Sequence, residues 1–171
     1  QLNYASAGVG NLQHLAMEYL QSLSGMKMNH VPYKGAAPAF IDVIAGQCVI
    51  MFANITGAMT HINSGRVRAI AVSSAKRAAV LPAVPGIAET YRDFDITTWV
   101  GIFVPAGTPR DLMAKLQADF TTVLARSDVR ERMASQGGEV LAWPGEQLAA
   151  HLRRETALYA KVVQSSGIRP E

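Results

Sequence analysis

The sequence predicts an α/β fold built on a largely parallel sheet. Short strand-like stretches alternate with stretches at helical spacing through residues 1–95. Glycines stand at many of the junctions between these stretches, where the chain turns from one element into the next. Hydrophobic residues make up 49% and charged residues 17% of the 171 positions, a globular composition with ample apolar material for a core.

The first strand and helix are predicted within residues 2–25. Residues 2–6 alternate as a short strand. Apolar residues then recur at helical spacing, and they are Leu12, Leu15, Ala16, Tyr19, Leu20 and Leu23. Asn11 is suited to cap this helix at its start, and Gly25 is suited to end it.

The same alternation of strands and helices continues through five further elements. The pattern predicts a strand over residues 28–33, a helix over 38–45, a strand over 49–53, a helix over 55–63 and a strand over 67–72. Residues 49–53 are a continuous apolar run, which is typical of a parallel strand buried on both faces, and residues 67–72 are predicted to be another buried strand.

Irregular structure is predicted next, followed by one long strand. Residues 73–85 are rich in turn-forming residues, and residues 87–91 are expected to form one or two helical turns. Residues 96–104 form a single strand-like run.

The remainder of the chain is predicted to be mostly helical. The predicted elements are a helix beginning at Pro109 with Thr108 as N-cap, a helix over residues 128–136 capped by Ser127, a strand over 139–142 and a helix over 144–164. Helices with one apolar stripe need a surface to cover, and two short strands do not supply a sheet. We therefore predict one near-complete α/β domain over residues 1–95, and over residues 96–171 a crossover strand and helices of a second, incomplete domain.

Several functional classes are excluded by composition and spacing. The net charge is +3, with no block of Lys/Arg interleaved with aromatics, so no nucleic-acid partner is expected. No apolar run reaches the ~18–20 residues of a membrane span, so the chain is not expected to be membrane-embedded. Cys48 is unpaired and lies in an apolar run, so we expect a buried thiol.

No cofactor or metal is expected. The pair Gly8 and Gly10 resembles the start of a dinucleotide fingerprint, but Gln13 stands where the third glycine belongs. No two histidines have metal-ligand spacing, and Cys48 has no cysteine partner.

Two glycine-rich junctions are the best indication of function. They lie at residues 4–12 and 31–39, and each leads from a strand into a helix. The carboxyl ends of parallel strands meet at one sheet edge, where open α/β sheets bind their ligands. Each junction brings a helix N-terminus to that edge, with free backbone N–H groups and the positive end of the helix dipole. The sequence therefore predicts a cradle for an anion or a carboxylate.

Few side chains near these junctions carry an unambiguous role. Ser6 is expected to be an exposed hydroxyl. His14 lies in the first turns of its helix, away from the apolar stripe, and is either a ligand donor or a solvated residue. Lys34 is either an anion-binding residue or a surface residue, and His30 is expected to be structural. Asn54 is expected to cap the next helix, with a ligand contact as the alternative.

Three of these segments resemble the Bug family of solute receptors, which serve tripartite tricarboxylate transporters. They are residues 4–16 (YASAGVGNLQHLA), 30–39 (HVPYKGAAPA) and 46–54 (GQCVIMFAN). Residues 68–77 (RAIAVSSAKR), 81–85 (LPAVP) and 99–109 (WVGIFVPAGTP) resemble the family in the same order. The resemblance covers essentially the whole chain.

The resemblance implies a periplasmic-binding-protein-like fold of type II, with two α/β domains and a ligand cleft between them. It implies a periplasmic protein that binds a small carboxylate, largely through backbone amides, and passes it to the membrane components of a tripartite transporter. Residues 1–95 would then be the ligand-binding domain. The ligand-binding residues implied on this sequence are Ser6, Ala7, Gly8, Gly10, Asn11, His14, Lys34, Gly35, Ala36, Ala37 and Asn54.

The chain departs from the family pattern in three ways. Asn11 replaces the usual Ser or Thr, and Ala53 stands where Asp or Asn is common, so one polar contact at each position is in doubt. Family members are nearly twice as long. The opening at Gln1 reads as a strand already under way, so we expect a truncated chain that lacks the N-terminal half and its signal peptide.

Three functions remain open from the sequence. The first is a receptor fragment that keeps one wall of a carboxylate cleft and is not an enzyme. The second is a small hydrolase that would use Ser6 with His14, although no orienting acid is evident. The third is an oligomerising fragment, since apolar stripes on the C-terminal helices must be covered, and a homodimer through those helices would cover them.

Overall fold

The computed structural model describes residues 2–168, so Gln1 and residues 169–171 lie outside the account that follows. A three-stranded parallel sheet organises the first part of the chain, in the order β2-β1-β3. The strands are β1 (Leu2–Ser6), β2 (Met28–Pro32) and β3 (Ile50–Met51). β1 lies in the centre and pairs with β2 over its whole length. The predicted α/β class and parallel sheet are confirmed.

Three helices connect and follow these strands. They are α1 (Leu12–Ser24), α2 (Ala36–Ile44) and α3 (Ile55–Asn63). α1 has the predicted caps: the Asn11 side chain accepts the His14 N–H, and Gly25 ends the helix with φ 72°. α2 begins two residues before the predicted start, because Gly35 with φ 107° turns the chain directly into the helix.

The remaining helices are α4 (Arg110–Leu124), α5 (Ser127–Ser135) and α6 (Gly145–Ser166). The predicted N-caps of α4 and α5 are wrong by one residue. Pro109 rather than Thr108 occupies the N-cap of α4, and Arg126 rather than Ser127 occupies the N-cap of α5. Neither residue makes a side-chain cap bond. Because an exposed helix end can be solvated, cap chemistry alone does not fix these boundaries.

Two apolar clusters pack against the sheet and its helices. Ala5, Ala39 and Cys48 form one cluster, so the predicted burial of Cys48 is confirmed. The second cluster contains Ala16, Phe94 and Ile96, and the Tyr19 ring stacks on the Phe94 ring with centroids 5.4 Å apart. We call the cluster of Ala5, Ala39 and Cys48 the α2 cluster, because Ala39 belongs to α2. Successive residues of a strand point to opposite faces, so Ala5 joins this cluster, while its neighbours on β1 point toward α1.

Three predicted strands are not formed. Residues 67–71, 96–104 and 139–142 have no regular structure, and Val72 makes only an isolated bridge with Gly86. Ile70 is 60% and Val100 95% exposed, so the runs are not buried along their length, although Ile96 at the start of one of them is. A strand needs a neighbour that completes its hydrogen-bond ladder, and none of residues 2–168 supplies one to these runs.

β3 also differs from its prediction, since it contains two residues rather than five. It is half-buried rather than buried on both faces, because it forms an edge of a small sheet. Residues 73–85 contain turns and bends without helix or strand, and one turn of 3-10 helix covers Ile87–Glu89, as the sequence indicated.

The described chain forms two compact units. One contains residues up to 98 together with those from 155 onward, and the other contains residues 99–154. Every buried hydrophobic residue of the described chain belongs to the first unit. The second unit consists of helices and extended chain with exposed apolar side chains. Assignment of residues 96–171 to an incomplete second domain stays a prediction.

The two isoleucines at positions 96 and 70 give a matched test of this core. Ile96 is 2% exposed beside Phe94, whereas Ile70 is 60% exposed. We expect Ile96→Ala to lower the free energy of unfolding by about 2–5 kcal/mol, because it removes buried methyl groups and leaves a cavity. We expect Ile70→Ala to change it by less than about 0.5 kcal/mol. Urea unfolding followed by circular dichroism measures both, and equal losses would contradict this core.

Candidate functional site

The candidate site lies where β1 and β2 end side by side. The last residue pair of the two strands is Ser6 with Pro32. Beyond it the pairing continues through two backbone bonds: the Tyr33 N–H donates to the Ser6 carbonyl at 3.0 Å, and the Gly35 N–H donates to the Ala7 carbonyl at 3.1 Å. The two glycine junctions are therefore joined directly, as the parallel sheet predicted.

The first junction satisfies many of its own backbone donors. The Ala7 N–H donates to Gln13 Oε1 at 2.9 Å, and the Gly10 N–H donates to His14 Nδ1 at 3.0 Å. The Gly8 N–H donates to Ser6 Oγ at 3.2 Å. These amides were expected to face a ligand, but each of them already has an acceptor within the junction.

Glycine is needed at position 8 for a local reason. Its φ of 148° is one that other residues rarely adopt, and an added Cβ would lie 3.6 Å from the Tyr33 carbonyl oxygen. That distance is an ordinary van der Waals contact, so the backbone conformation rather than a lack of space favours glycine at this position.

Free donors remain at the first turns of both helices. In α1 the His14 N–H is capped by Asn11, and helical geometry leaves the N–H groups of Leu12 and Gln13 without an intrahelical acceptor. In α2 the same geometry leaves the N–H groups of Ala36 and Ala37 without one. Lys34 is exposed beside them.

The free donors at the start of α2 are the N–H groups of two adjacent residues. Pro38 has no N–H and occupies the third helical position, where a missing donor costs nothing. The Gly35 N–H is already bonded to Ala7, so the pair Ala36 and Ala37 accounts for the free donors of this turn. A carboxylate oxygen is a suitable acceptor for two adjacent backbone N–H groups at a positive helix end.

Ser6 and His14 occupy positions that differ from their expected ones. Both are buried, whereas Ser6 was expected to be exposed and His14 to face ligand or solvent. The Ser6 hydroxyl lies 2.6 Å from His30 Nε2, and the His14 and His30 rings stack with centroids 3.7 Å apart. The apolar periodicity of α1 did not predict the burial of His14, because its ring packs against a residue of β2 and spacing within one helix does not report contacts with another element.

The two imidazoles are held in an environment that favours their neutral forms. Burial lowers the pKa of His14, against the opposing effect of the nearby Glu18 carboxylate. Burial, with a smaller contribution from the charge of His14, lowers the pKa of His30 to about 4.

Glu18 connects this pair to the centre of the sheet. The Tyr4 hydroxyl donates to Glu18 Oε1 at 2.6 Å, the Gln21 side chain donates to the same oxygen at 2.8 Å, and His14 Nε2 lies 3.9 Å away. Burial, followed by the bond to Glu18, raises the pKa of Tyr4. Sequence reasoning gave no site role to Gln13, the second residue of α1, or to Glu18, which lies one turn after His14 on the same helix.

Asn54 lies at the same sheet edge, after β3. It occupies the N-cap of α3, as predicted, but makes no side-chain cap bond there. Its Oδ1 accepts the Thr98 hydroxyl at 3.0 Å instead. Because β3 runs parallel to β1, all three predicted ligand segments lie at the carboxyl ends of the strands.

A metal centre and a serine–histidine hydrolase site are the chemical alternatives to a binding cradle. Within residues 2–168 no three or more His, Cys, Asp or Glu side chains cluster so that they could hold a metal ion. The Ser6 hydroxyl contacts His30 rather than His14, so the serine–histidine pair that the hydrolase alternative requires is not formed. Among the helices in residues 2–168, none combines the length and apolar character that membrane crossing requires.

Comparison with known proteins gives several relatives. The chain is 36% identical over 165 residues to "UPF0065 protein in tcbD-tcbE intergenic region" from Pseudomonas sp. (strain P51), and the match covers 95% of this chain and 49% of that protein. It is 37% identical over 166 residues to "UPF0065 protein in clcB-clcD intergenic region" from Pseudomonas knackmussii, covering 88% of this chain and 98% of that protein. The chain thus spans about half of the first relative and nearly all of the second.

Two solved structures share the fold. The structure described as R. palustris Rpa4515 with adipate superimposes with a TM-score of 0.86 at 27% identity, covering 100% of this chain and 57% of that one. MatC (Rpa3494) from Rhodopseudomonas palustris with bound malate gives a TM-score of 0.75 at 32% identity, covering 95% and 56%. The periplasmic-binding-protein-like fold is thereby confirmed.

The family itself is shown by a match that spans nearly the whole sequence. Residues 1–168 match the family described as "Tripartite tricarboxylate transporter family receptor". Its members are substrate-binding receptors and not enzymes, which agrees with the expectation for this sequence. This chain belongs to the tripartite tricarboxylate transporter receptor (TctC) family, which includes the Bug proteins.

Proposed function

We propose that this chain contributes one wall of a binding site for a small carboxylate, as part of a periplasmic receptor that delivers its ligand to a tripartite transporter. The observation that carries the proposal is the pair of helix N-termini at one sheet edge, joined by the bonds from Tyr33 and Gly35. The adipate and malate named for the similar structures are carboxylates of the class that this geometry favours.

The residues of the proposed site have two roles, according to whether their backbone N–H groups are free or already bonded. Ala36 and Ala37 supply N–H groups at the start of α2, and the first turn of α1 supplies a second set. Ser6, Ala7, Gly8 and Gly10 form the surface between them, with amides already bonded internally. These residues therefore shape the site more than they bind its ligand.

Side chains at the rim have smaller proposed roles. Lys34 is exposed and would attract an anion without fixing its orientation. Asn11 and Asn54 are already engaged with His14 and Thr98, so a ligand contact through either would use their remaining hydrogen-bonding capacity.

We expect weak binding by this chain alone. Each helix N-terminus contributes ~0.3–1 kcal/mol to anion binding, and up to ~2 kcal/mol in partly buried geometries. Two termini therefore supply at most ~4 kcal/mol, which corresponds to a Kd of ~1 mM. Titration of the ¹⁵N-labelled chain with adipate should shift the amide resonances of Ala36 and Ala37 in the millimolar range.

Two results of this titration would contradict the proposal. Amide shifts confined to residues far from the sheet edge would place the ligand elsewhere. Micromolar affinity measured by calorimetry would show that groups other than the helix termini dominate binding. A neutral diol of the same length is the matched ligand control, and it should leave both amides unchanged because it carries no negative charge.

Removing one backbone donor tests the site without changing its surface charge. Ala36 is the first residue of α2, where proline is favoured, and Gly35 with ψ 171° is compatible with a following proline. We expect Ala36→Pro to preserve the fold and to weaken adipate binding by about tenfold, since one charge-assisted N–H bond is lost.

A matched control exists at another helix start. Ser127 is the first residue of α5, after Arg126 with ψ 138°, so Ser127→Pro makes the same change outside the proposed site. It should leave adipate binding unchanged. Equal affinities for wild type, Ala36→Pro and Ser127→Pro would exclude the α2 terminus from binding.

A second candidate function is self-association, favoured by the exposed apolar side chains of the second unit. On α4 these include Phe120 and Val123, and none of residues 99–154 is buried. A second copy that covers this helix would remove apolar surface from water.

We expect light scattering to give a homodimer, with twice the chain mass of 18.4 kDa. Phe120→Asp combined with Val123→Asp should restore the monomer, because burial of unpaired carboxylates opposes association. Ile70→Asp, at an exposed apolar position of the first unit, is the control and should leave the dimer intact. A monomeric wild type would contradict the interface.

A further inference from the structure

A stacked pair of imidazoles lies beside the first glycine junction, with His14 buried and His30 half-buried. His14 belongs to α1 and His30 to β2, and their ring centroids are 3.7 Å apart with an interplanar angle of 18°. The Tyr4 ring stacks on His30 from β1, with centroids 4.9 Å apart. The proposed ligand contacts do not use these rings, although both reach the loop that carries the site.

The hydrogen bonds specify the proton on His14. Its Nδ1 accepts the Gly10 N–H at 3.0 Å, and a nitrogen that accepts this bond carries no proton. The ring proton therefore resides on Nε2, the nitrogen that lies 3.9 Å from Glu18 Oε1. Protonation at Nδ1 would convert the acceptor of the Gly10 amide into a second donor and would break that bond.

His30 reaches the same loop through Ser6. Ser6 Oγ donates to the Gly8 carbonyl at 2.9 Å and accepts the Gly8 N–H at 3.2 Å, while His30 Nε2 lies 2.6 Å from it. A hydroxyl that donates to Gly8 accepts from His30, so this histidine carries its proton on Nε2. The hydroxyl and the two rings thus connect β2 and α1 to both glycines of the loop.

We propose that His14 and His30 are positioning residues for carboxylate binding, and that they hold the loop of residues 6–11 in its binding geometry only while Nδ1 of His14 is unprotonated. This inference rests on the proposed receptor function. The rings do not touch the ligand themselves. They act through the amides of Gly8 and Gly10, whose orientation fixes the path of the chain into α1.

The groups that face the pair determine how it responds to acid. Glu18 on α1 is the charged group nearest to His14, and the Tyr4 hydroxyl on β1 is bonded to that carboxylate. Glu18 favours a protonated His14, but burial opposes it, and a second positive charge in the stacked ring opposes it further. Two protonated rings at 3.7 Å would repel each other with little intervening solvent.

The direction of the pH effect follows from the lowered pKa values. A buried histidine with a lowered pKa stabilises the folded loop fully above its unfolded pKa of ~6.5. That contribution decreases as the pH falls, and it is lost near the pKa of about 4 that burial gives His30. Because burial also lowers the pKa of His14, its bond to Gly10 should be intact at pH 7 and should weaken as the pH falls below ~6.5.

The first test is the tautomer state of the whole chain at pH 7, read from two-bond ¹H–¹⁵N correlations of the imidazole rings. We expect His14 with its proton on Nε2 alone, and a Gly10 amide resonance that shifts together with the His14 ring as the pH is lowered toward 4. A proton on Nδ1 of His14, or a Gly10 amide that does not follow the ring, would overturn the proposal.

Two substitutions separate hydrogen bonding from packing. His14→Phe keeps an aromatic ring beside His30 but removes the acceptor for Gly10, so hydrogen exchange at the Gly10 amide should accelerate at least tenfold at pH 7. His14→Asn places an acceptor oxygen near the position of Nδ1 and should restore most of the protection. Equal exchange in the two variants would contradict a specific role for Nδ1.

His61→Phe is the control, since the His61 ring on α3 lies tilted against Phe40, with centroids 4.6 Å apart, and makes none of the contacts to this loop. It should leave Gly10 exchange and its pH response unchanged. Should His14→Phe fail to fold, the tautomer and pH measurements on the unaltered chain still decide the question.

Adipate titration distinguishes this inference from the receptor proposal. Weaker adipate binding by His14→Phe than by His14→Asn, in proportion to the loss of Gly10 protection, supports both. A pH response of Gly10 without any adipate-induced shift at Ala36 contradicts the receptor function and leaves the loop positioning supported. Unchanged adipate affinity in a His14→Phe variant that has lost Gly10 protection overturns the positioning role while the receptor proposal stands.

Discussion

The pairing of β1 with β2 is the constraint on which the candidate site depends. Five residue pairs align the strands, and two further backbone bonds extend the pairing into the loops that follow. Because the strands run parallel, their carboxyl ends and the helices after them must begin at the same edge. A shift of one residue would turn Ser6 toward the α2 cluster and would separate Tyr33 and Gly35 from their acceptors.

This arrangement places polar groups in the interior, and that burial carries a cost unless every group is bonded. Ser6, His14 and Tyr4 are buried on the α1 side of the sheet, and each makes a hydrogen bond within a network that includes Glu18. Removing one member would leave its partner buried without a bond, at a typical cost of ~1–3 kcal/mol. The network therefore orders the loop above it more strictly than an apolar packing of similar volume, which has no directional requirement.

The sequence predicted the elements that carry local signals and failed where a partner strand was needed. Asn11 and Gly25 mark the ends of α1 through local chemistry, and the glycine junctions follow from strand–helix alternation. The runs at residues 67–72 and 96–104 have strand-like composition, but composition does not supply a neighbouring strand. The stacking of His14 on His30 joins residues of two elements, so it depends on the sheet register and not on the spacing within one helix.

The strength of a site made of backbone amides depends on how completely water is excluded from it. The amides of Ala36 and Ala37 lie at an open edge, where solvent competes for the ligand and screens the helix dipole. Covering the same two amides would strengthen each bond without adding a single contact, because a charge interacts more strongly in a medium of low polarity. Ligand affinity in such a site therefore depends on how well the amides are covered and shielded from water. The preference for a carboxylate comes from the helix termini themselves. A loop held in a fixed conformation by the stacked rings of His14 and His30 keeps the donors oriented before any cover or ligand arrives.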